Sequence, residues 1–254
     1  MPEQGAIESF IDRLTSYISE VDKNWVNSIK PASRESVDQL KRTSRIEEKG
    51  HGIPTSYQKY LEYMGENDGG LLSDYIMADT SLTMLCDYYN EELNFEPESV
   101  NPEILVFGLS HMADQLSFDL RHNEEPVIIE SVDGEIYERL SENFEKLLFQ
   151  SAFNKVEKIR FPFYAPFGGS QDMLKAALKK GQTEDIFEIV NELAEIEKFS
   201  KAWFSDFRHY IGHREDIRFM VEDRKGSMTL IVFGTCEHYV TSIGNVLASA
   251  IGAK

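Results

Sequence analysis

The residues that could carry chemistry cluster toward the C-terminal end of this 254-residue chain. His209 and His213 stand four apart, with Asp206, Glu215 and Asp216 close by. On a helix that spacing turns both imidazoles toward one metal ion, as a metal-dependent hydrolase would need. The pattern is incomplete: no Glu adjoins the first His, and Gly212 weakens a helix between the two. Cys236-Glu237-His238 sets a thiol near an imidazole, but such close sequence neighbours seldom face each other. Gly168-Gly169-Ser170 could open a helix that receives an anion, yet the Lys-Ser/Thr of a phosphate loop is missing and Ser170 as a plain helix cap accounts for it. GxSxG, GxGxxG and HExxH are all absent. The sequence therefore indicates no catalytic residue, no metal ligand and no cofactor, and the more informative signal is charge.

Residues 51–150 hold 21 Asp and Glu against four basic residues, Lys59, Arg121, Arg139 and Lys146, so −17 of the chain's −18 sits there. Residues 1–50 and 151–254 are close to neutral. A local excess of this size attracts basic surfaces and repels nucleic acid and anionic lipid. The C-terminal bases Lys175, Lys179, Lys180, Arg208, Arg214 and Arg218 are matched by acids at similar density and read as solvated faces. No apolar run approaches the roughly 20 residues that span a bilayer. Met1 to Ala6 lacks the basic and apolar regions of a secretory signal, and the two cysteines, Cys86 and Cys236, lie far apart, so a cytoplasmic protein without disulfides is expected.

The elements that must position these acids follow from periodicity. Ile7, Phe10, Ile11, Leu14, Tyr17, Ile18 and Val21 predict an amphipathic helix ending near Trp25. Ser33 caps a second helix to about Glu48, and Pro54 opens a third, Thr55 to Met64, closed by Gly65. Asn67-Asp68-Gly69-Gly70 is a turn. Short strands are predicted at 74–78, 104–108, 115–120, 126–131 and 135–140, with Asp133-Gly134 turning the last two into a hairpin. Residues 82–93 are ambiguous, helical in their later part. Ser141 caps a closing helix bearing Phe144, Leu147 and Leu148. The composition then shifts, predicting a division into 1–150 and 151–254. In the second part, Phe161 to Phe167 reads as a packed aromatic and Pro connector. Helices are predicted at 170–180, 183–199 and around 201–211, then a hairpin with Ile217, Phe219 and Val221 inward. The last helix repeats Gly244, Ala248 and Gly252 every four residues, a ridge for close packing inside the chain or, as an alternative, for a homodimer.

The first 150 residues resemble the SUKH superfamily, the Smi/Knr-type domain. The resemblance rests on the order of several pieces: Trp25, Pro31-Ala32-Ser33, the helix 34–48, Ile53-Pro54-Thr55-Ser56-Tyr57 with Leu61, and Gly69-Gly70. Ile104-Leu105-Val106-Phe107-Gly108, Phe118-Asp119-Leu120, Pro126-Val127 and Ser141 to Leu148 follow. The chain departs from the pattern at Leu109 to Gln115, where the family often has a Gly- and Asp-rich turn, and in its final 100 or so residues. The resemblance implies an α+β fold, a curved antiparallel sheet with helices on one side, followed here by a smaller α+β module. It also implies a non-enzymatic binding protein: an immunity protein against a polymorphic toxin, or a regulatory scaffold of the cell-wall-synthesis type.

An acidic surface suits a basic toxin, a nuclease for example, with charge speeding encounter and buried contacts holding the complex. The candidate partner-binding residues border the predicted sheet: Glu66, Asp68, Asp74, Asp79, Asp87, Glu91, Glu92, Asp114, Glu124 and Glu125. Tyr88 and Tyr89 are aromatic anchors among them, one of the pair being expected in the core. The plainer use of each acid is as a solvated carboxylate.

Overall fold

The computed structural model describes residues 9–73, 77–110, 114–121, 127–132, 135–224 and 227–254. The fold is α+β. The chain divides into two compact units, Met1–Ala152 and Phe153–Lys254.

In the first unit, α1 (Phe10–Ser19) begins at a capping box in which Ser9 and Asp12 bond each other's backbone N–H groups. The helix stops there, and Trp25 belongs to a separate short helix, α2 (Trp25–Ser28), leading into β1 (Ile29–Lys30). Ser33 does cap α3 (Arg34–Thr43), but the expected run to Glu48 breaks at Arg45, whose φ of 59° enters a 3-10 turn, Ile46–Lys49. α4 (Thr55–Met64) has the bounds its Pro54 and Gly65 predict. β2 (Asn67–Asp68) pairs with β1. The ambiguous stretch is α5 (Leu82–Phe95), helical throughout.

A five-stranded antiparallel sheet runs in order from β3 (Ala78–Asp79) through β4 (Ile104–Ser110), β5 (Gln115–Asp119) and β6 (Val127–Val132) to β7 (Glu135–Ser141). Of the predicted strand 74–78 only Ala78 lies in described strand, and the Asp133-Gly134 turn lies outside the described residues. Register shifts between Val106 and Gly108, and at two places in the β6–β7 pair, add local twist and bend the sheet. α6 (Phe144–Arg160) is capped by Asn143, whose Oδ1 accepts from Lys146 N, and not by Ser141, which ends β7. Tyr57 of α4 and Phe144 of α6 pack on Phe107 and Phe118 of the sheet, and Tyr60 packs on Tyr57 and Phe144, with ring centroids 4.8 to 6.1 Å apart. All five are buried, each side chain contributing about 2–3 kcal/mol of burial.

The second unit corrects two expectations. Phe161 to Phe167 is no connector: Phe163–Ser170 forms β8, an eight-residue edge strand. Gly168 exchanges backbone bonds with Lys254, so its N–H points away from the sheet. Pro166, two residues earlier, faces the same way, and a missing N–H costs nothing on an outer edge. The expected helix around 201–211 is absent; Ser200–Lys201 is β9 and His209–His213 is β10. With β11 (Ile217–Arg224) and β12 (Ser227–Gly234) they make a sheet of order β8-β12-β11-β10-β9. Ile217, Phe219 and Val221 bury one face against α7 (Gln171–Gly181), α8 (Ile186–Ile196) and α9 (Glu237–Ile251). The small-residue ridge of α9 packs inside the chain as first expected: Gly244 lies against the Phe167 ring and Gly252 against the Met173 carbonyl.

Gly212 sits directly across from Phe219, and a Cβ there would fall 2.2 Å from the buried ring. Gly212→Ala should cost about 1–3 kcal/mol by overpacking, read as a lowered Tm.

Candidate partner-binding site

The two histidines that opened the sequence reading do not meet. On β10 they are separated by about 13 Å at strand rise; His209 is buried and His213 exposed. The helix needed for a shared metal does not form. Cys236 is the N-cap residue of α9 and exposed, and the neighbouring His238 ring lies near Tyr239. Gly168 and Gly169 end β8, and Ser170 accepts from Met173 N as the cap of α7.

His209 belongs instead to a buried cluster the sequence did not reveal. Its Nδ1 lies 3.2 Å from Asp206 and its Nε2 3.5 Å from Glu222, its cross-strand neighbour. Glu222 also accepts from Arg208 and Arg224. Burial works against the imidazolium, but the two carboxylates outweigh it and raise the His209 pKa. Burial likewise opposes ionisation of Glu222, yet His209, Arg224 and Arg208 hold its carboxyl at about 2. Asp206 also accepts from the N–H groups of Arg208 and His209. With this many satisfied charges the cluster is a tie between β10, β11 and the segment before them.

Six of the predicted acids, Glu66, Asp68, Asp79, Asp87, Glu91 and Glu92, lie along α5 or at its ends. At its N-terminal end Glu66, Asp68 and Asp79 line a hollow of about 560 Å³ with Met77. At its C-terminal end Tyr88 and Glu92, joined by Glu96 and Glu98, line a second of about 780 Å³. Asp87 and Glu91 lie exposed between them, four residues apart on one helix face. The fourteen residues of α5 span about 20 Å, with the first hollow at its Ser81 cap and the second from Tyr88 onward. Glu66 accepts from Thr83 Oγ1, Asp79 from Ser81 N, and Glu92 from Ser99 Oγ. Among the described residues none of Glu66, Asp79, Asp87, Glu91, Glu92, Glu96 and Glu98 is in an ion pair. In the same unit Glu48, Asp119, Glu142 and Glu145 each have a cation. Glu92 stands in the last turn of α5 and Glu96 is its C-cap, and that turn has no basic residue to offset the helix dipole. Arg45, already bound through two nitrogens to Glu48, donates to Pro97 O just beyond that turn.

Two predicted residues are corrected. Asp68 is 6% exposed, its carboxylate accepting from Leu71 N, Leu72 N and the Tyr60 hydroxyl, so it is a structural group. Tyr89 is core, its hydroxyl accepting from Val106 N. Tyr88 is half-buried at the hollow, where burial and then Glu92 push its phenol up to about 12. Asp114, half-buried, is bonded to Ser110 at the β4–β5 connection. Asp74, Glu124 and Glu125 lie outside the described residues. Glu96 and Glu98 escaped the sequence reading, although both continue the acid run beyond α5.

No helix among the described residues is long and apolar enough to cross a membrane. A scan against protein-family models, a search of curated proteins and a search of solved structures each find no match to this chain.

Proposed function

We propose that this chain is a non-enzymatic immunity-type protein of the cytoplasm that neutralises a cognate basic toxin, docking it on the acidic surface along α5. One observation carries the reading: the carboxylates along that helix are left without cations, and two of them stand at the dipole end that disfavours them. Such a field does not serve the fold and raises the encounter rate of a positively charged partner. The resemblance of the first 150 residues to SUKH immunity proteins supports the same class of partner.

The test pairs this chain with a basic toxin domain, sought as the C-terminal domain of a large secreted protein in the neighbouring reading frame. Co-expression restores growth to cells producing that domain, and the purified proteins form a stoichiometric complex. The charge reversals Asp87→Lys and Glu91→Lys slow association about tenfold, an effect that fades as salt rises. Rates that do not change across Asp87, Glu91 and Glu96 reversals overturn the electrostatic docking.

A further inference from the structure

The hollow at the C-terminal end of α5 has more structure than a charged surface. Its floor is apolar and buried, formed by Val100, Val106 and Ile129, each 5% exposed or less. Ile136, 47% exposed, stands at its mouth. Tyr88 forms one wall, its hydroxyl held by Gln115 Nε2 at 3.0 Å. That donation leaves Gln115 Oε1 with only a long 3.5 Å contact from Ser131 Oγ, so an acceptor remains inside. The rim is Glu92, Glu96 and Glu98, and no Lys or Arg is among the described residues lining the hollow. An aliphatic floor, an aromatic wall, an inward acceptor and an anionic rim together match one occupant: a long aliphatic stem ending in a planar cation with several donors.

We propose that this hollow is the seat of a single arginine side chain from a basic partner. Its methylenes lie on Val100, Val106 and Ile129, and its guanidinium stacks on Tyr88 while donating to Gln115 and the glutamate rim. Arginine fits better than lysine because its planar fork can stack and donate in one plane. The proposal rests on the docking reading above and adds to it a buried anchor, the kind of contact that sets residence time where the rest of the acidic face sets encounter.

The full-length protein, labelled with nitrogen-15, is titrated at low salt with N-acetyl-arginine methylamide, its lysine counterpart and its neutral citrulline isostere, and separately with an octa-arginine peptide. The expected result is saturable shifts at the Gln115 side-chain amide and the Ser131 and Val106 backbone amides with the arginine amide. Citrulline should bind about tenfold more weakly, as should arginine in the Glu96→Gln/Glu98→Gln variant. Tyr88→Leu, which keeps the bulk, should weaken arginine more than lysine. Equal shifts from arginine and citrulline overturn the arginine seat. Octa-arginine binding seen only at Asp87 and Glu91, with the hollow silent, overturns it too but leaves the docking reading standing. No response to either probe removes the seat and the acidic docking face together.

Discussion

Replacing Glu222 with glutamine should destabilise the second unit by about 3–5 kcal/mol, because it removes one partner of a buried ion cluster and leaves the others in place. Arg208 and His209 have side chains only 5% and 2% exposed, and Glu222 is the acceptor they share. The glutamine keeps the shape and loses the charge. The two tryptophans allow the effect to be located, since Trp25 lies in the first unit and Trp203 in the second. With 5-fluorotryptophan incorporated, the Trp203 resonance should report unfolding at lower urea, and the Trp25 resonance should not. The wild-type protein should also lose stability at both ends of the pH scale. His209 has its folded pKa raised, so its contribution is complete below the ordinary imidazole value of 6.5 and is lost as pH rises through the folded value. Glu222 has its pKa lowered from 4.5, so its contribution is complete above 4.5 and is lost as pH falls toward about 2. Glu222→Gln should abolish its share of the acid loss and move the alkaline loss to lower pH, because the imidazolium then has Asp206 without Glu222. A variant with wild-type urea midpoint and pH profile would show that the cluster contributes nothing.

That cluster was invisible in the sequence for a definite reason. His209 and Glu222 are direct cross-strand partners, and register is not readable from either strand alone. Asp206 and His209 are three apart, so a helical reading pairs them as readily as the loop-to-strand entry that holds them. β8 was hidden by Pro166 and the two glycines, which signal a loop unless the strand is known to lie at an edge. Other features were legible because they are local. Pro54 and Gly65 bound α4 on their own chemistry, and the inward alternation of Ile217, Phe219 and Val221 is a strand signal that needs no partner. The choice between Tyr88 and Tyr89 was also available. Leu82, Leu85, Cys86 and Tyr89 follow the i, i+3, i+4, i+7 pattern, which turns Tyr89 inward and Tyr88 aside once residues 82–95 are taken as one helix. The acid excess was plain by counting, but its concentration along α5 depends on where the strands leave that helix.

Asp68 separates a binding role from a structural one. As a partner contact, its removal would weaken docking and leave the fold intact. The structure requires the opposite. Asp68→Ala deletes the acceptor for Leu71 N at 3.0 Å, Leu72 N at 2.8 Å and the Tyr60 hydroxyl at 3.3 Å. Leu72 is buried and its N–H is left without this acceptor, while Leu71 N keeps the Asp68 carbonyl at 3.3 Å and Tyr60 keeps its 3.2 Å contact with Thr80. Leaving a buried donor without an acceptor costs about 1–3 kcal/mol, so a loss of that order is expected. The turn has little room to adjust. Gly69 holds a φ of +65° with Trp25 and Ser28 against the position of a Cβ, and Trp25 Nε1 donates to the Asp68 carbonyl. Fluorine spectra of the variant should show the Trp25 resonance unfolding at lower urea while Trp203 is unmoved. At temperatures where the variant is folded, it should associate with a basic partner at the wild-type rate, because its carboxylate faces Leu71 and Leu72 and not the open field set by Asp87 and Glu91. Slowed association at unchanged stability would return Asp68 to the docking surface.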